Sequence, residues 1–311
     1  MKPGFSSVLM TTVSDPATPE SQPPASTAAA SRGRRWWRNF KSLFARPSTA
    51  LGTTIVLLFL LVALIGPFIA PYGENEQIAM DAQQPPSSTH LFGTDRLGRD
   101  VFSRVVLGAR DIFALAGLGT LLAVLCGTAF GLISGYLGGL FDEGLMRFFD
   151  SLLAMPALLL ALLLLGTVGP SRSSVIIVIV IVYTPIVARV VRSVVLSVKN
   201  KGFVEVARTQ GEPMSRILYR EIFPSVTPAL TVEAALRFSY AIFLVASLGF
   251  LGVGVQPPQP DWGLMVSEAR HNVSQTPWAM YFPAAAIALT VIGVNLMADG
   301  LKRILQVSSH E

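Results

Sequence analysis

The chain has 311 residues, of which 51% are hydrophobic and only 14% charged, with a mean hydropathy of +0.56. A soluble domain carries roughly 25% charge and scatters its apolar residues at helical or strand periods; here they run in long blocks, which makes lipid the main solvent. The net charge of +5 leaves a nucleic-acid partner open until the basic residues are placed, and the single cysteine, Cys126 inside an apolar block, excludes an intrachain disulfide or a cysteine metal cluster and reads as a small buried hydrophobe.

Residues 1–31 are rich in Ser, Thr, Pro and Ala and hold too little apolar surface to offset the entropy of ordering, so they read as a disordered tail. Met10 leaves open a later start of translation. Residues 32–50 follow as a basic and aromatic flank, with Arg32, Arg34, Arg35, Trp36, Trp37, Arg38, Lys41 and Arg46. Such a cluster ordinarily sits at the cytoplasmic face of a first membrane helix. The Arg34-Arg35 pair is also the pattern of a twin-arginine export signal, but the apolar stretch behind it is long enough to span and no small-residue cleavage site follows.

A crossing needs about 20 apolar residues in helix, because only a helix satisfies its own backbone in lipid. Six stretches qualify: Leu51–Ile69, Ile112–Ile133, Phe148–Val168, Val175–Val191, Leu230–Val255 and Met280–Met297. An even number puts both ends on one side. With the N-terminus inside, seventeen Lys and Arg fall in internal segments and six in external ones, leaving Arg237 within a span. That bias places both termini in the cytoplasm and spreads the positive charge along the inner membrane face, which removes the nucleic-acid reading. The expected fold is an all-α integral membrane protein of about six spans: a first span and external loop over 51–111, a core over 112–303, and a short cytoplasmic tail over 304–311.

Between the first two spans lies Gly93-Thr94-Asp95-Arg96-Leu97-Gly98-Arg99-Asp100, followed from Val101 to Arg110 by alternating apolar and charged residues that suit a short amphipathic helix at the outer surface. The second long external segment, Gln256 to Gly263, is stiffened by three prolines and carries Trp262 as an interfacial residue. Such a rigid loop is suited to capping a pathway or docking a partner.

The cytoplasmic loop 197–226 is too structured to be a bare connector. Glu205 to Gln210 fit two turns of helix, Gly211 is a left-handed stop, Pro213 suits the first turn of a second helix, and Pro224 ends it. Here the sequence resembles the inner-membrane permeases of binding-protein-dependent ATP-binding-cassette importers, whose motif runs Glu-Ala-Ala, three residues, Gly, ten residues, Ile-Leu-Pro. Glu205, Ala207, Gly211, Ile222 and Pro224 match; Val206 stands for the second motif residue and Phe223 for the leucine. Gly93–Asp100, Gly138–Asp150, Gly249–Gly263 and Asn295–Leu301 are similar to the C-type permease of dipeptide, oligopeptide and nickel transporters, so the likeness extends over residues 50–303.

The resemblance implies a type I importer fold in the bacterial cytoplasmic membrane, with a second permease, two ATPase subunits that hold ATP and Mg, and an external solute-binding protein that delivers peptide. It also implies that Glu205, Val206, Ala207, Gly211, Ile222 and Pro224 form the coupling element against the ATPase. Ala207 and Gly211 would then allow close backbone approach, and Glu205 would pair with a basic group or cap local amides. With no GxxxxGK[ST] loop, this chain is expected to hold no cofactor and to do no catalysis.

Glu233 and Arg237, four apart on one face of span five, form an expected intramembrane ion pair with either a structural or a pathway role. Arg147 and Asp150 are expected to pair locally. His90 and His271 are read as exposed external residues and supply little for a dedicated metal site, so peptides are preferred to nickel. An ion-driven secondary transporter is the rival class, but no internal repeat is visible; a membrane enzyme has no candidate constellation.

Overall fold

The computed structural model describes Phe44 and residues 46–307. Among them the helices are α1 (Pro47–Ile69), α2 (Val101–Leu137), α3 (Gly139–Leu153), α4 (Ala157–Val168), α5 (Arg172–Val198), α6 (Gly202–Thr209), α7 (Met214–Phe250), α8 (Trp262–Ala269) and α9 (Pro277–Val307). Five of them, α1, α2, α5, α7 and α9, are long and apolar enough to cross a bilayer, and the bent pair α3–α4 makes up to six. The tail and the basic flank through Lys41 lie outside the described residues.

Close approach of backbones builds the bundle. Along one face of α2, Gly119, Gly127, Gly131 and Gly135 lie against Ile179, Val187, Val191 and Val195 of α5; an added Cβ would come within 2.6 Å of Val187 Cβ and 2.7 Å of Val191 Cβ. In lipid no hydrophobic force brings helices together, so small residues that allow backbone contact do that work. The α1–α9 seam uses the same device: a Cβ on Gly52 would meet Leu296 Cβ at 2.5 Å, and one on Gly293 would meet Ile55 Cγ2 at 2.7 Å.

Two predicted spans come out differently. The stretch Phe148–Val168 is not one straight helix, because α3 and α4 meet at 91° across Ala154–Pro156. Pro156 is extended, with φ −54° and ψ 132°, and lacks the N–H that would continue the ladder. Two carboxylates tie α3 to α5: Asp142 takes both Nε and Nη2 of Arg192 at 2.6 Å each, and Asp150 pairs with Arg189. Arg147 therefore does not meet Asp150; its partner is Glu143, one turn back at 2.5 Å.

Val101 to Arg110, expected as a separate surface helix, is the first part of the 37-residue α2. Its Val101, Ser103, Arg104, Val105 and Ala109 are buried. At about 1.5 Å per residue α2 is near 55 Å long, well beyond the roughly 30 Å hydrocarbon core, so this end stands outside the lipid and its charges find protein partners.

Candidate functional site

Two assemblies occupy opposite ends of the bundle. At the end of α5 lies the loop 197–226. Helix α6 turns Val204 and Ala207 inward onto Val195, Val198, Ile217, Ile222 and Val226, which form their own apolar cluster. Its other face is open: Phe203 is 44% and Val206 53% exposed, and Glu205 is exposed beside them. Gly211, with φ +75°, ends the helix in a full Schellman arrangement, with Glu212 N–H donating to Ala207 O at 3.1 Å and Gly211 N–H to Arg208 O at 3.0 Å. A Cβ on Gly211 would meet nothing within 4 Å, so backbone conformation alone demands glycine there. Glu212 then pairs with Arg216 at 2.6 Å across the turn.

Arg208 connects this helix to the bundle. Its guanidinium carbon lies 4.8 Å from the Tyr136 ring centroid at the end of α2, and its Nε donates to the Tyr136 hydroxyl at 3.2 Å. Lys199 Nζ donates to Gly135 O at 2.9 Å nearby.

Several expectations for the loop need correction. Ala207 faces its own chain, so its small size serves internal packing. The N-cap of α6, Lys201, makes no side-chain cap, and among the described residues no backbone amide donates to Glu205. Pro213 is the extended residue before α7, with ψ 147°, and lies outside its first turn. Pro224 does not end the second helix. The chain widens into a π-helical stretch over Ile217–Ile222, where Phe223 N–H reaches back to Leu218 O, and continues unbroken into the long helix. The π turn shifts the hydrogen-bond register just where Pro224 has no N–H to offer. Among the motif positions, then, Ala207 and Ile222 are buried while Glu205, Val206, Gly211 and Pro224 are exposed. Phe203 and Arg208 were missed; the alternation of Phe203, Val204, Val206 and Ala207 over an eight-residue helix was the available signal.

At the other end the Gly93–Asp100 segment is a tightly bonded loop. Asp95 pairs with Arg99 Nε at 2.6 Å and Arg104 Nη1 at 3.0 Å; Glu268 of α8 pairs with Arg99 Nη2 at 2.6 Å and Arg104 Nη1 at 3.4 Å. Both arginine side chains are 4% exposed. Asp100 caps α2 through Ser103 N at 2.7 Å and holds His90 Nδ1 at 2.9 Å. His90 is buried, not exposed; Tyr72 stacks on it and Asp81 stands 3.6 Å from its Nε2. His271 is exposed in the short turn after α8. Among the described residues no group of three or more His, Cys, Asp and Glu is placed to hold a metal.

The proline-rich segment ends on Asp261, which caps α8 by accepting from Leu264 N at 2.8 Å. Burial pushes its carboxyl up to about 6 against the pull of those amide donors. Trp262 is not interfacial: it is fully buried and donates from Nε1 to Val105 O at 2.9 Å. Segments read as external thus bond to one another, as do those read as internal.

In the middle, Glu233 Oε1 and Arg237 Nε lie 2.7 Å apart, with side chains 11% and 13% exposed. Neither atom makes a hydrogen bond, so the pair is close but misaligned and holds by charge. Arg237 lies 4.8 Å from the Tyr240 ring centroid and 5.7 Å from that of Tyr183.

Comparison with known proteins places this architecture. The model for the binding-protein-dependent transport system inner membrane component matches residues 127–308, and that for the N-terminal membrane domain of oligopeptide transport permease C matches residues 31–86. The chain belongs to this family of transport-system membrane components. It is 38% identical to a dipeptide transport system permease protein of Alkalihalophilus pseudofirmus over 92% of this chain and 94% of that one. It is 39% identical to a glutathione transport system permease protein of Escherichia coli over 86% and 88%. It is 37% identical to a probable D,D-dipeptide transport system permease protein of Escherichia coli over 83% and 87%. In fold this family member superimposes on the MetNI methionine ABC transporter in an inward-facing form, with a TM-score of 0.53 at 16% identity over 66% of this chain and 95% of that one. That likeness speaks for the type I membrane fold alone.

Proposed function

We propose that this permease subunit translocates short peptides across the cytoplasmic membrane, driven by ATPase subunits that dock on α6. The observation that carries the reading is the geometry of that helix: a Schellman-capped, surface-borne helix with an open apolar and acidic face, anchored underneath to α5 and α7 and at its side to Tyr136 of α2. A helix clamped to three others passes a push on its outer face directly to them. Bringing two such helices together on ATP binding would tilt the spans as rigid bodies and exchange inward for outward opening. ATP and Mg would be held by the ATPases, both termini and the 197–226 loop would face the cytoplasm, and a second permease would complete the pathway. The relatives named for dipeptides and glutathione support peptides as the solute.

A deletion strain is expected to lose uptake of labelled di- and tripeptides while nickel accumulation stays normal. Loss of nickel uptake with intact peptide uptake would overturn the solute assignment and leave the ATP-driven reading standing. ATP turnover by the isolated chain would overturn the division of labour.

A further inference from the structure

We infer that Arg237, framed by Tyr183 and Tyr240, is a specificity-determining residue that reads the carboxylate of the transported solute inside the membrane. The inference rests on the peptide-import reading above, and it starts from where the charge lies. Arg237 lies within the fifth apolar stretch, Leu230–Val255, seven residues or about 10 Å from its Leu230 end. That depth is inside a hydrocarbon core of about 30 Å, where an arginine facing lipid is costly and where such residues mark solute pathways.

Its own chain does not fully occupy it. A guanidinium offers five N–H donors in a planar fork. Glu233 approaches the Nε edge at 2.7 Å without a hydrogen bond, and among the described residues no acceptor is bonded to the outer nitrogens. Tyr183 of α5 and Tyr240 of α7 present ring faces, which hold the cation in place but leave its in-plane donors free. The fork that remains is shaped for bidentate capture of a carboxylate.

The face of α7 that carries Arg237 continues outward at helical spacing through Tyr240, Phe243, Ser247 and Phe250, and Tyr240 and Phe243 are 50% and 59% exposed. Phe243, Ser247 and Phe250 line an apolar groove of about 540 Å³ shared with α4, α8 and α9. An apolar wall that accepts varied side chains, on the same face of α7 as one cation that reads an invariant end group, suits solutes that share a carboxylate and little else. Glu233 supplies the compensation that keeps an unloaded Arg237 tolerable in the membrane, and its misaligned contact is one that a better-aligned carboxylate can outcompete.

The test uses the complete importer in proteoliposomes. A labelled tripeptide and its C-terminal amide are each supplied at a concentration that saturates the solute-binding protein, so selection at that step cancels. Maximal uptake rates are compared for wild type, Arg237→Lys, and the double variant Arg237→Gln with Glu233→Gln, which leaves no lone buried charge. The acid-to-amide ratio of rates is expected to exceed one in wild type, to fall by about tenfold towards parity in the double variant, as loss of a charged hydrogen bond would give, and to hold an intermediate value in the lysine variant. An unchanged ratio, or proportional loss of both rates, overturns the inference. Failure of the double variant to assemble with its partner subunits also overturns it and assigns the pair to a subunit contact. A wild type that imports neither peptide would instead remove the peptide reading itself.

Discussion

The two ends of the bundle are built on opposite principles. At the end that holds the Gly93–Asp100 loop, four charges contributed by that loop, α2 and α8 are drawn together, with Arg99 and Arg104 4% exposed. At the end that holds the 197–226 loop, α6 rests on a shallow apolar patch, is capped by backbone hydrogen bonds alone, and holds Arg208 against Tyr136 at the surface. A buried charge network is costly to break because each partner left behind is an uncompensated ion, whereas a surface helix is altered at little cost to the fold. The first end is therefore built as a fixed frame, and the second fits the contact surface proposed for it. Damage to the first should read out as lost protein, and damage to the second as lost coupling.

The largest effect is expected for Asp95→Ala. It strips Arg99 and Arg104 of the closer-knit of the two carboxylates they share, leaving them Glu268 alone, and removes the acceptor for Leu97 and Arg99 N–H at 2.8 and 3.0 Å. Breaking a buried pair costs about 3–5 kcal/mol. The variant should accumulate poorly and unfold at markedly lower temperature in a detergent thermal-shift assay; wild-type behaviour would show that the network carries no such role.

Gly211→Val reverses the pattern. The strain is on the order of 1–2 kcal/mol, confined to the turn that ends α6. Membrane level should stay near wild type while ATP-driven uptake falls several-fold. Normal uptake would detach this turn from coupling.

Tyr136→Phe against Tyr136→Ala sharpens the contrast. Phenylalanine loses only the 3.2 Å bond from Arg208 Nε, while alanine also removes the ring beneath the guanidinium. A cation–ring contact at an exposed site is worth roughly 0.5–1 kcal/mol, so the alanine variant should lose more coupling efficiency, measured as peptide imported per ATP hydrolysed. Equal values for the two would exclude the ring contact.

The smallest effect concerns acidity at the charged end, at the start of α8. Asp261 has its carboxyl raised by burial to about 6, above its ordinary value of 3.8. The folded state therefore binds the proton more tightly than the unfolded one, so the contribution to stability is fullest below pH 3.8 and is lost as pH rises through 6. Asp261→Asn keeps an acceptor for Leu264 N–H and removes the titration. Its unfolding temperature relative to wild type should rise between pH 5 and pH 7.5; a difference that does not vary with pH would contradict the assignment.

What the sequence displayed about each region follows the range of the forces involved. The spans are set by local hydropathy, and the Gly211 stop by the conformation of one residue, and both were legible. The bend at Pro156 hid inside a stretch of continuous apolar residues that runs straight through it. Val101–Arg110 looked like a surface helix because its charges have no partner nearby in sequence; Glu268 answers Arg104 from 164 residues away. His90 looked exposed for the same reason, its burial depending on Tyr72 and Asp100 folding over it. Pro224 was read as a terminator because helical rules apply to regular turns, and the π stretch before it is the exception that admits it. In the 197–226 loop, residue spacing marks a helix and its glycine stop, but which of its residues face outward depends on where α5 and α7 lie.

The proposed meeting of the open face of α6 with a separate ATPase is open to direct capture. A photoreactive benzophenone amino acid placed at Val206, which is 53% exposed, would be irradiated in the assembled importer, with Leu163 on α4, 55% exposed and in an apolar helix, as the control site. We expect a covalent adduct between this chain and an ATPase subunit from position 206 and none from position 163. An assembled, ATP-hydrolysing complex that gives no ATPase adduct from position 206 would contradict it.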